Sequence, residues 1–143
     1  EHYGIAMPVS TSQRTTEHHA EGIDEQEAAR VIAPGTATGG LFIGEMDGSM
    51  VPVVDPSADA EDQRQGKLLG WKEVRLNLVH PQGSVTPMLG GNFAGGVEES
   101  GRQWGRCAAK AGFGPGSHLH AIGDGASWIA NQVDRQFGTQ GTY

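Results

Sequence analysis

Near the middle of the chain, three segments in which polar and apolar residues alternate follow one another without a helical segment between them. The alternation predicts strands over residues 41–54 and 68–79, and a shorter third strand over residues 85–89. The acidic, polar stretch 55–66 between the first two strands is predicted to be a solvated loop. Because consecutive strands joined only by loops usually pair in opposite directions, these segments favour an antiparallel meander.

Alternation also assigns side chains to the two faces of each predicted strand. Asp47 shares one face of the first strand with Leu41, Ile43, Glu45 and Ser49, and the other face carries Phe42, Gly44, Met46 and Met50. In the second strand, one face carries Val74, Leu76 and Leu78, and the other carries Glu73, Arg75 and Asn77. We therefore take the second group as the polar face of that strand.

The second half of the chain changes to helical spacing. A helix is predicted over residues 97–111, where the apolar residues form one stripe at helical spacing. Acidic residues lie at its start and basic residues towards its end, which suits the helix dipole. Gly112 is expected to be its C-terminal cap. A fourth strand over 118–124 and a helix over 126–137 follow, and residues 139–143 are predicted to start a fifth, truncated strand. The predicted fold class is α/β, with a mixed sheet in the order β-β-β-α-β-α.

Residues 1–35 are predicted to be a helical lead-in to a domain that spans residues 36–143. One helix is expected to end at Gly22, and a second one to stop before Pro34. Two short helices with a glycine between them are compatible with a helix-turn-helix, although an ordinary lead-in is the simpler interpretation. In the DNA-binding case, Arg14 is the residue expected to contact phosphate.

Charge and cysteine content limit the function classes. The formal net charge is −7, which weighs against nucleic acid as a partner, because phosphate binding needs clustered lysine and arginine. A metal site built from carboxylates is itself acidic, however. Cys107 is the only cysteine, which indicates a reducing, cytoplasmic compartment. No apolar run approaches the roughly 20 residues that span a bilayer, so no membrane partner is expected.

Asp47 and Asp124 are the candidate metal ligands. Each precedes a glycine and lies on or at the end of a predicted core strand, where a carboxylate is costly to bury unless something pairs with it. A single Asp-Gly pair most often only forms a turn. Two such pairs in one mixed sheet favour carboxylates that converge at one edge, which suits Mg²⁺. Two such ions about 3.5–4 Å apart can activate a nucleophile and stabilise the leaving oxygen of a phosphodiester.

The element order, with one Asp on the first strand and another on the fourth, resembles the RNase H-like core of DDE transposases and integrases. Three strings are similar to bacterial insertion-sequence transposases in particular: Glu45-Met46-Asp47-Gly48-Ser49-Met50-Val51, Trp71-Lys72-Glu73-Val74-Arg75 and Gly123-Asp124-Gly125-Ala126-Ser127-Trp128-Ile129. The opening segment around Tyr3-Gly4 resembles the stretch that precedes the catalytic domain in that family. The resemblance covers most of the chain, and the third string is its most specific part.

The resemblance implies a function in DNA transposition. Asp47 and Asp124 would correspond to the first two acids of the catalytic triad and would bind Mg²⁺ (or Mn²⁺). The reaction would be hydrolysis at the transposon ends, followed by attack of the freed 3′-OH on target DNA. The implied partner is DNA, at the transposon ends and at the target, in the cytoplasm with the nucleoid, and a homo-oligomer is compatible with this activity.

The sequence departs from the family pattern at the third acid, which in the family lies on a helix beyond the fifth strand. The chain stops at Tyr143, before that position. Asp134 lies inside the next predicted helix, where we do not expect it to substitute. We therefore expect a fragment with two acids, weak metal binding and little or no catalysis. A truncated fifth strand would also leave a sheet edge open to pairing between chains.

Two other functions are compatible with parts of the sequence. A haloacid-dehalogenase-type phosphatase has Asp-Gly motifs similar to residues 47–49 and 123–125. Glu45, however, stands in the place of its nucleophile, and Trp128-Ile129 stand in the place of its last acid. Its fold also alternates parallel strands with helices. A catalytically inert relic or assembly module would fit the incomplete triad and the acidic charge.

Other polar residues have simpler interpretations. His118 and His120 share a strand face with the second acid and could approach a metal, but we expect ordinary polar strand residues. Glu73 could reach the site, but we expect a salt bridge with Lys72 or Arg75.

Overall fold

The computed structural model of the protein describes residues 8–29, 39–56 and 67–143. The chain divides into two units, Glu1–Ile32 and Ala33–Tyr143. In the first unit, helix α1 runs without interruption through Val9–Ala29. None of the helices within the described ranges is long and apolar enough to cross a bilayer.

The helix break predicted at Gly22 is absent, because α1 continues through this residue. A single glycine in a helix costs only about 1 kcal/mol relative to alanine, which is too little to end a helix by itself. The prediction of two helices is therefore wrong for the described part of this unit, and the turn needed by a helix-turn-helix is not found there. The stretch immediately before Pro34 lies outside the described residues.

In its described residues, the second unit has five strands: β1 Gly40–Pro56, β2 Lys67–Pro81, β3 Met88–Phe93, β4 Ser117–Ile122 and β5 Gly141–Thr142. They form one mixed sheet in the order β3-β2-β1-β4-β5. β1 is antiparallel to β2, and β2 to β3, whereas β4 is parallel to β1 and β5 to β4. The predicted antiparallel meander and the α/β class with a mixed sheet are confirmed. The loop predicted over residues 55–66 lies mostly outside the described residues.

Two helices connect the later strands: α2, Val97–Lys110, and α3, Ser127–Phe137. Both lie within one residue of their predicted bounds. Gly112 follows α2 with a φ of 99°, as expected for a glycine just past the end of a helix.

Strand β3 begins three residues later than the strand predicted over 85–89. Val85, which suggested the earlier start, is 96% exposed, and Pro87 has no N–H group with which to join a ladder. The ladder with β2 begins instead at Met88 and includes two consecutive glycines. Glycine is depleted in strands, so the local sequence gave no strand signal there.

The core lies between one face of the sheet and helices α2 and α3. We call this side the covered face, and the opposite side, on which none of the described helices of this unit packs, the open face. Trp104 is completely buried, and its indole Nε1 donates a hydrogen bond to the Leu78 carbonyl oxygen at 3.2 Å. Around it lie Phe42, Met46, Val79, Cys107, Ala108, Leu119, Ala121, Ile129, Val133 and Phe137.

The alternation along β2 is as predicted, but its polar side is the one that faces the helices. Arg75 and Asn77 are 9% and 3% exposed, whereas Leu76 is 62% exposed. The register explains this inversion, because Met46 is paired with Asn77 and directly paired residues point to the same face. Arg75 is compensated by an ion pair with Glu73. The expected salt bridge of Glu73 is therefore confirmed, but it lies on the covered face.

Candidate metal-binding site

Asp47 and Asp124 belong to neighbouring parallel strands near the middle of the sheet. β1 and β4 pair in register up to two residues before these acids. Continued by two residues, the same register places Asp47 opposite Asp124. The two backbones stay close at this point, since a Cβ atom on Gly123 would lie 3.3 Å from the main-chain oxygen of Met46. Parallel pairing therefore brings together two acids that are far apart in sequence.

Both acids line one cavity of about 490 Å³ on the open face. Among its described lining residues, three carry carboxylates, Glu45, Asp47 and Asp124, and none is basic. The apolar part of the lining comes from Met46, Leu76, Leu78, Leu89 and Ile122. A cleft lined by one sign of charge concentrates ions of the opposite sign, so the charged part of this lining favours cations over anions.

Asp47 has surroundings that differ from the sequence expectation. The apolar pattern around it suggested a buried carboxylate in a turn with Gly48, but Asp47 is exposed and β1 continues past it to Pro56. The pattern was misleading because the buried apolar residues of this strand, Phe42 and Met46, point to the covered face, while Asp47 points to the open one. Its Oδ1 accepts a hydrogen bond from the Gly48 N–H at 2.8 Å. Its Oδ2 has no hydrogen-bond partner among the described residues.

Asp124 follows β4 in the loop Gly123-Asp124-Gly125. Its Oδ1 accepts a hydrogen bond from the Ala126 N–H at 2.9 Å, which holds the side chain beside the start of α3. Gly125 has a φ of 89°, a conformation that glycine adopts without steric cost. As in Asp47, no side chain or main-chain group of the described residues bonds to Oδ2. Each acid therefore has one oxygen fixed locally and one oxygen free for a ligand.

Tyr143 also belongs to this site, although no sequence pattern predicted it. Its hydroxyl oxygen accepts a hydrogen bond from the Gly125 N–H at 2.8 Å, and a Cβ atom on Gly123 would come within 3.0 Å of it. Tyr143 therefore ties the loop that carries Asp124 to the end of β5. This role depends on the sheet topology and not on a local pattern, since a parallel strand beside β4 brings its own C-terminal end towards that loop.

The carboxylates form a pair and not a three-ligand cluster. Within the described ranges, no group of three or more His, Cys, Asp and Glu side chains is placed to hold a metal ion. Glu45 shares the face of Asp47 but lies two residues earlier, about 6.6 Å along an extended strand. Asp134 is exposed on α3 and does not line the cavity.

The remaining candidates have other surroundings. His118 and His120 lie on the open face of β4 and contact the Thr142 hydroxyl oxygen at 3.3 and 3.2 Å. Arg14 occupies an exposed position in helix α1 of the first unit. Trp128 packs against the core, which suits a side chain that fixes α3 to the sheet.

The residues thus define an acidic, cation-attracting cavity at the junction of two parallel strands. No protein-family model matches the chain, and comparisons with curated proteins and with solved structures found no match either.

Proposed function

We propose that Asp47 and Asp124 bind Mg²⁺ (or Mn²⁺) as the first two acids of a DDE-type transposase core, which cuts transposon ends and joins them to target DNA. The observation that carries this proposal is the shared cavity, which is lined by carboxylates from two adjacent parallel strands and, among its described residues, by no basic side chain. Hard dications prefer such oxygen ligands. The partner is then DNA, and the protein acts at the nucleoid in the cytoplasm, with other copies of itself.

The sheet supports an RNase H-like core within the α/β class. Such a core is expected to have an antiparallel meander, followed by helices that alternate with parallel strands. The order β3-β2-β1-β4-β5, with β4 and β5 parallel to β1, agrees with this expectation. The first acid is on β1 and the second directly follows β4, as the resemblance implies.

The donor set fits a hard dication. Asp47 is held by a central strand, and Asp124 by a loop that is braced by Tyr143 and Ala126. Each presents one carboxylate oxygen with no partner among the described residues. A bound dication would supply Lewis-acid activation of a phosphodiester and of an attacking hydroxyl. It would also offset part of the negative charge that otherwise repels DNA phosphate.

Manganese binding tests the site directly, because free Mn²⁺ can be counted by electron paramagnetic resonance. We expect the wild-type chain to bind Mn²⁺, and Asp47→Asn and Asp124→Asn each to weaken binding at least roughly tenfold, since losing even an outer-shell partner costs that much. Asp134→Asn removes the same charge from an exposed position on α3 and serves as the matched control. Equal affinity in all four proteins would contradict the proposal.

The reaction is tested with the protein as its gene encodes it and with donor DNA that carries the gene's own flanking sequences. We expect Mg²⁺-dependent nicking at those flanks and strand transfer, both lost in Asp47→Asn and kept in Asp134→Asn. Asp47-dependent release of phosphate from a small phosphomonoester, without nicking, would select the phosphatase and overturn the transposase.

The phosphatase alternative requires parallel strands that alternate with helices, whereas β1, β2 and β3 form an antiparallel meander. A catalytically inert assembly module is the second candidate. It is favoured by the apolar side chains around the cavity, because Leu76, Leu89 and Ile122 are 62%, 71% and 47% exposed and exposed apolar patches mark contact surfaces. Mn²⁺ binding without nicking in the encoded protein would select this module.

A further inference from the structure

Two imidazole rings lie close together on the open face of β4. His118 and His120 are two residues apart in this strand, so their side chains project from the same face. His120 is exposed and His118 is half-buried. Histidine is the commonest metal ligand in proteins and binds through a neutral ring nitrogen.

The two rings converge on one atom, the hydroxyl oxygen of Thr142 in β5. His118 Nε2 lies 3.3 Å from this oxygen, and His120 Nδ1 lies 3.2 Å from it. His120 is paired with Thr142 in the ladder between β4 and β5, so the sheet itself holds the three side chains on one face. One ring nitrogen of each histidine therefore points into the same small volume.

The threonine hydroxyl bonds weakly to this pair of rings. Its single proton can be donated to one ring nitrogen only, while the oxygen accepts from the N–H of the other ring. The two separations, 3.3 and 3.2 Å, lie at or just beyond the long end of the usual N–H···O range of about 2.7–3.2 Å. A dication that takes a lone pair from each ring would satisfy both nitrogens at once.

We propose that His118 and His120 form a bidentate site for a transition-metal dication of the Zn²⁺ or Ni²⁺ type, bound through Nε2 of His118 and Nδ1 of His120. Imidazole nitrogens suit these metals, and a Zn–N bond is about 2.0–2.1 Å long. Binding requires the two rings to rotate towards each other and the Thr142 hydroxyl, which now lies between their nitrogens, to move aside. Water completes the coordination shell of the ion.

This site is separate from the pair of acids. Neither histidine lines the cavity that contains Asp47 and Asp124. His120 precedes Asp124 by four residues, which is about 13 Å in an extended chain. The donor chemistry also differs, because carboxylate oxygens suit Mg²⁺ whereas imidazole nitrogens suit Zn²⁺ or Ni²⁺. Excess Mg²⁺ therefore occupies the acids and leaves the imidazoles free.

Calorimetric titration of the 143-residue chain with Zn²⁺, in a non-coordinating buffer with excess Mg²⁺, tests the proposal. His2, His18 and His19 are replaced by Gln in every sample, because these imidazoles near the start of the chain offer competing ligands. We expect one site per chain in this background. His118→Gln and His120→Gln are each expected to weaken binding at least roughly tenfold, the smallest loss expected when a metal site loses a supporting group.

The matched control is His80→Gln. The His80 ring contacts the main-chain oxygen of Pro81 at 3.0 Å, and this variant should bind Zn²⁺ as tightly as the background. Since His120 is exposed, His120→Gln should also keep the unfolding temperature of the background protein, so that its weaker binding reports on the ligand itself.

Nitrogen-15 NMR of the imidazole rings adds a readout that identifies the ligating atoms. Zn²⁺ is expected to shift Nε2 of His118 and Nδ1 of His120, and to leave both ring nitrogens of His80 unchanged. The proposal is overturned if both histidine variants bind Zn²⁺ as tightly as the background, or if the shifted nitrogens belong to other residues.

Discussion

On the covered face of the sheet, Val79 of β2 and Leu119 of β4 are completely buried beneath helices α2 and α3. On the open face of the same two strands, Leu76 is 62% exposed and Ile122 is 47% exposed. Neighbouring residues of one strand thus meet opposite surroundings, because successive side chains point to opposite faces. Stability and candidate chemistry are therefore divided between the faces: apolar side chains are buried on one, and carboxylates and imidazoles lie on the other.

The largest expected effect on the free energy of unfolding is at Trp104, on the covered face. Its ring is completely buried and meets the Phe137 ring edge-on, with 5.4 Å between centroids. Trp104→Ala should therefore lower the free energy of unfolding by about 3–5 kcal/mol, measured by urea denaturation. The matched control is Trp71→Ala, because Trp71 is 61% exposed, and it should cost about 0.5 kcal/mol or less. If both variants lowered the free energy of unfolding by similar amounts, burial on the covered face would not be the main source of stability.

A smaller effect is expected from adding a methyl group to the covered face at Gly44. A Cβ atom there would lie 3.0 Å from Trp104 Cζ2 and 3.1 Å from both terminal methyl groups of Leu119. Gly44→Ala should therefore overpack the core and cost about 1–3 kcal/mol in unfolding free energy.

Gly70→Ala on β2 is the matched control for Gly44→Ala. The nearest atom to its added Cβ would be the Val53 carbonyl oxygen at 3.9 Å, an ordinary contact. Alanine there also restricts the unfolded chain, so Gly70→Ala should be at least as stable as the wild type in urea. If Gly44→Ala proved equally stable, the covered face would be loosely packed and the contrast between the faces would be weaker than the burial suggests.

Sequence patterns predicted an element correctly where the pattern depended on residues that are close together in the chain. The alternation in β1 and the helical stripe of α2 depend on residues within one element, and both elements lie close to their predicted bounds. Gly112 ends α2 as predicted, because a positive φ past a helix end is a property of a single residue. Gly22 shows the limit of such reasoning, since a glycine permits a helix end but does not impose one.

Features that depend on pairing between distant segments were not predictable. Which face of β2 meets the helices is decided by its register with β1, and that register buries Arg75 and Asn77 although both are polar. The hydrogen bond of Tyr143 to the loop of Asp124 likewise depends on where β5 meets β4. The sequence predicted both acids and the strands that carry them. The parallel pairing of β1 and β4 explains why the two acids line the same cavity. Their role as metal ligands stays a prediction.

The smallest expected effect on stability is at Leu76, on the open face. A substitution there tests most directly whether this face is exposed. This side chain is paired with Asp47 in the ladder between β1 and β2 and borders the same cavity. Because Leu76 is 62% exposed, Leu76→Gln should change the free energy of unfolding by about 0.5 kcal/mol or less. Mn²⁺ affinity should also be kept, since both carboxylates are untouched.

Val79→Gln places the same side chain on the covered face, three residues further along β2. Val79 is completely buried, so an amide there loses its water and should cost about 1–3 kcal/mol unless it finds a partner. Comparable destabilisation by Leu76→Gln would mean that the open face is covered in solution, since only a covered side chain loses that much. The acids would then lie within a contact surface, and the inert assembly module would gain support over the transposase core.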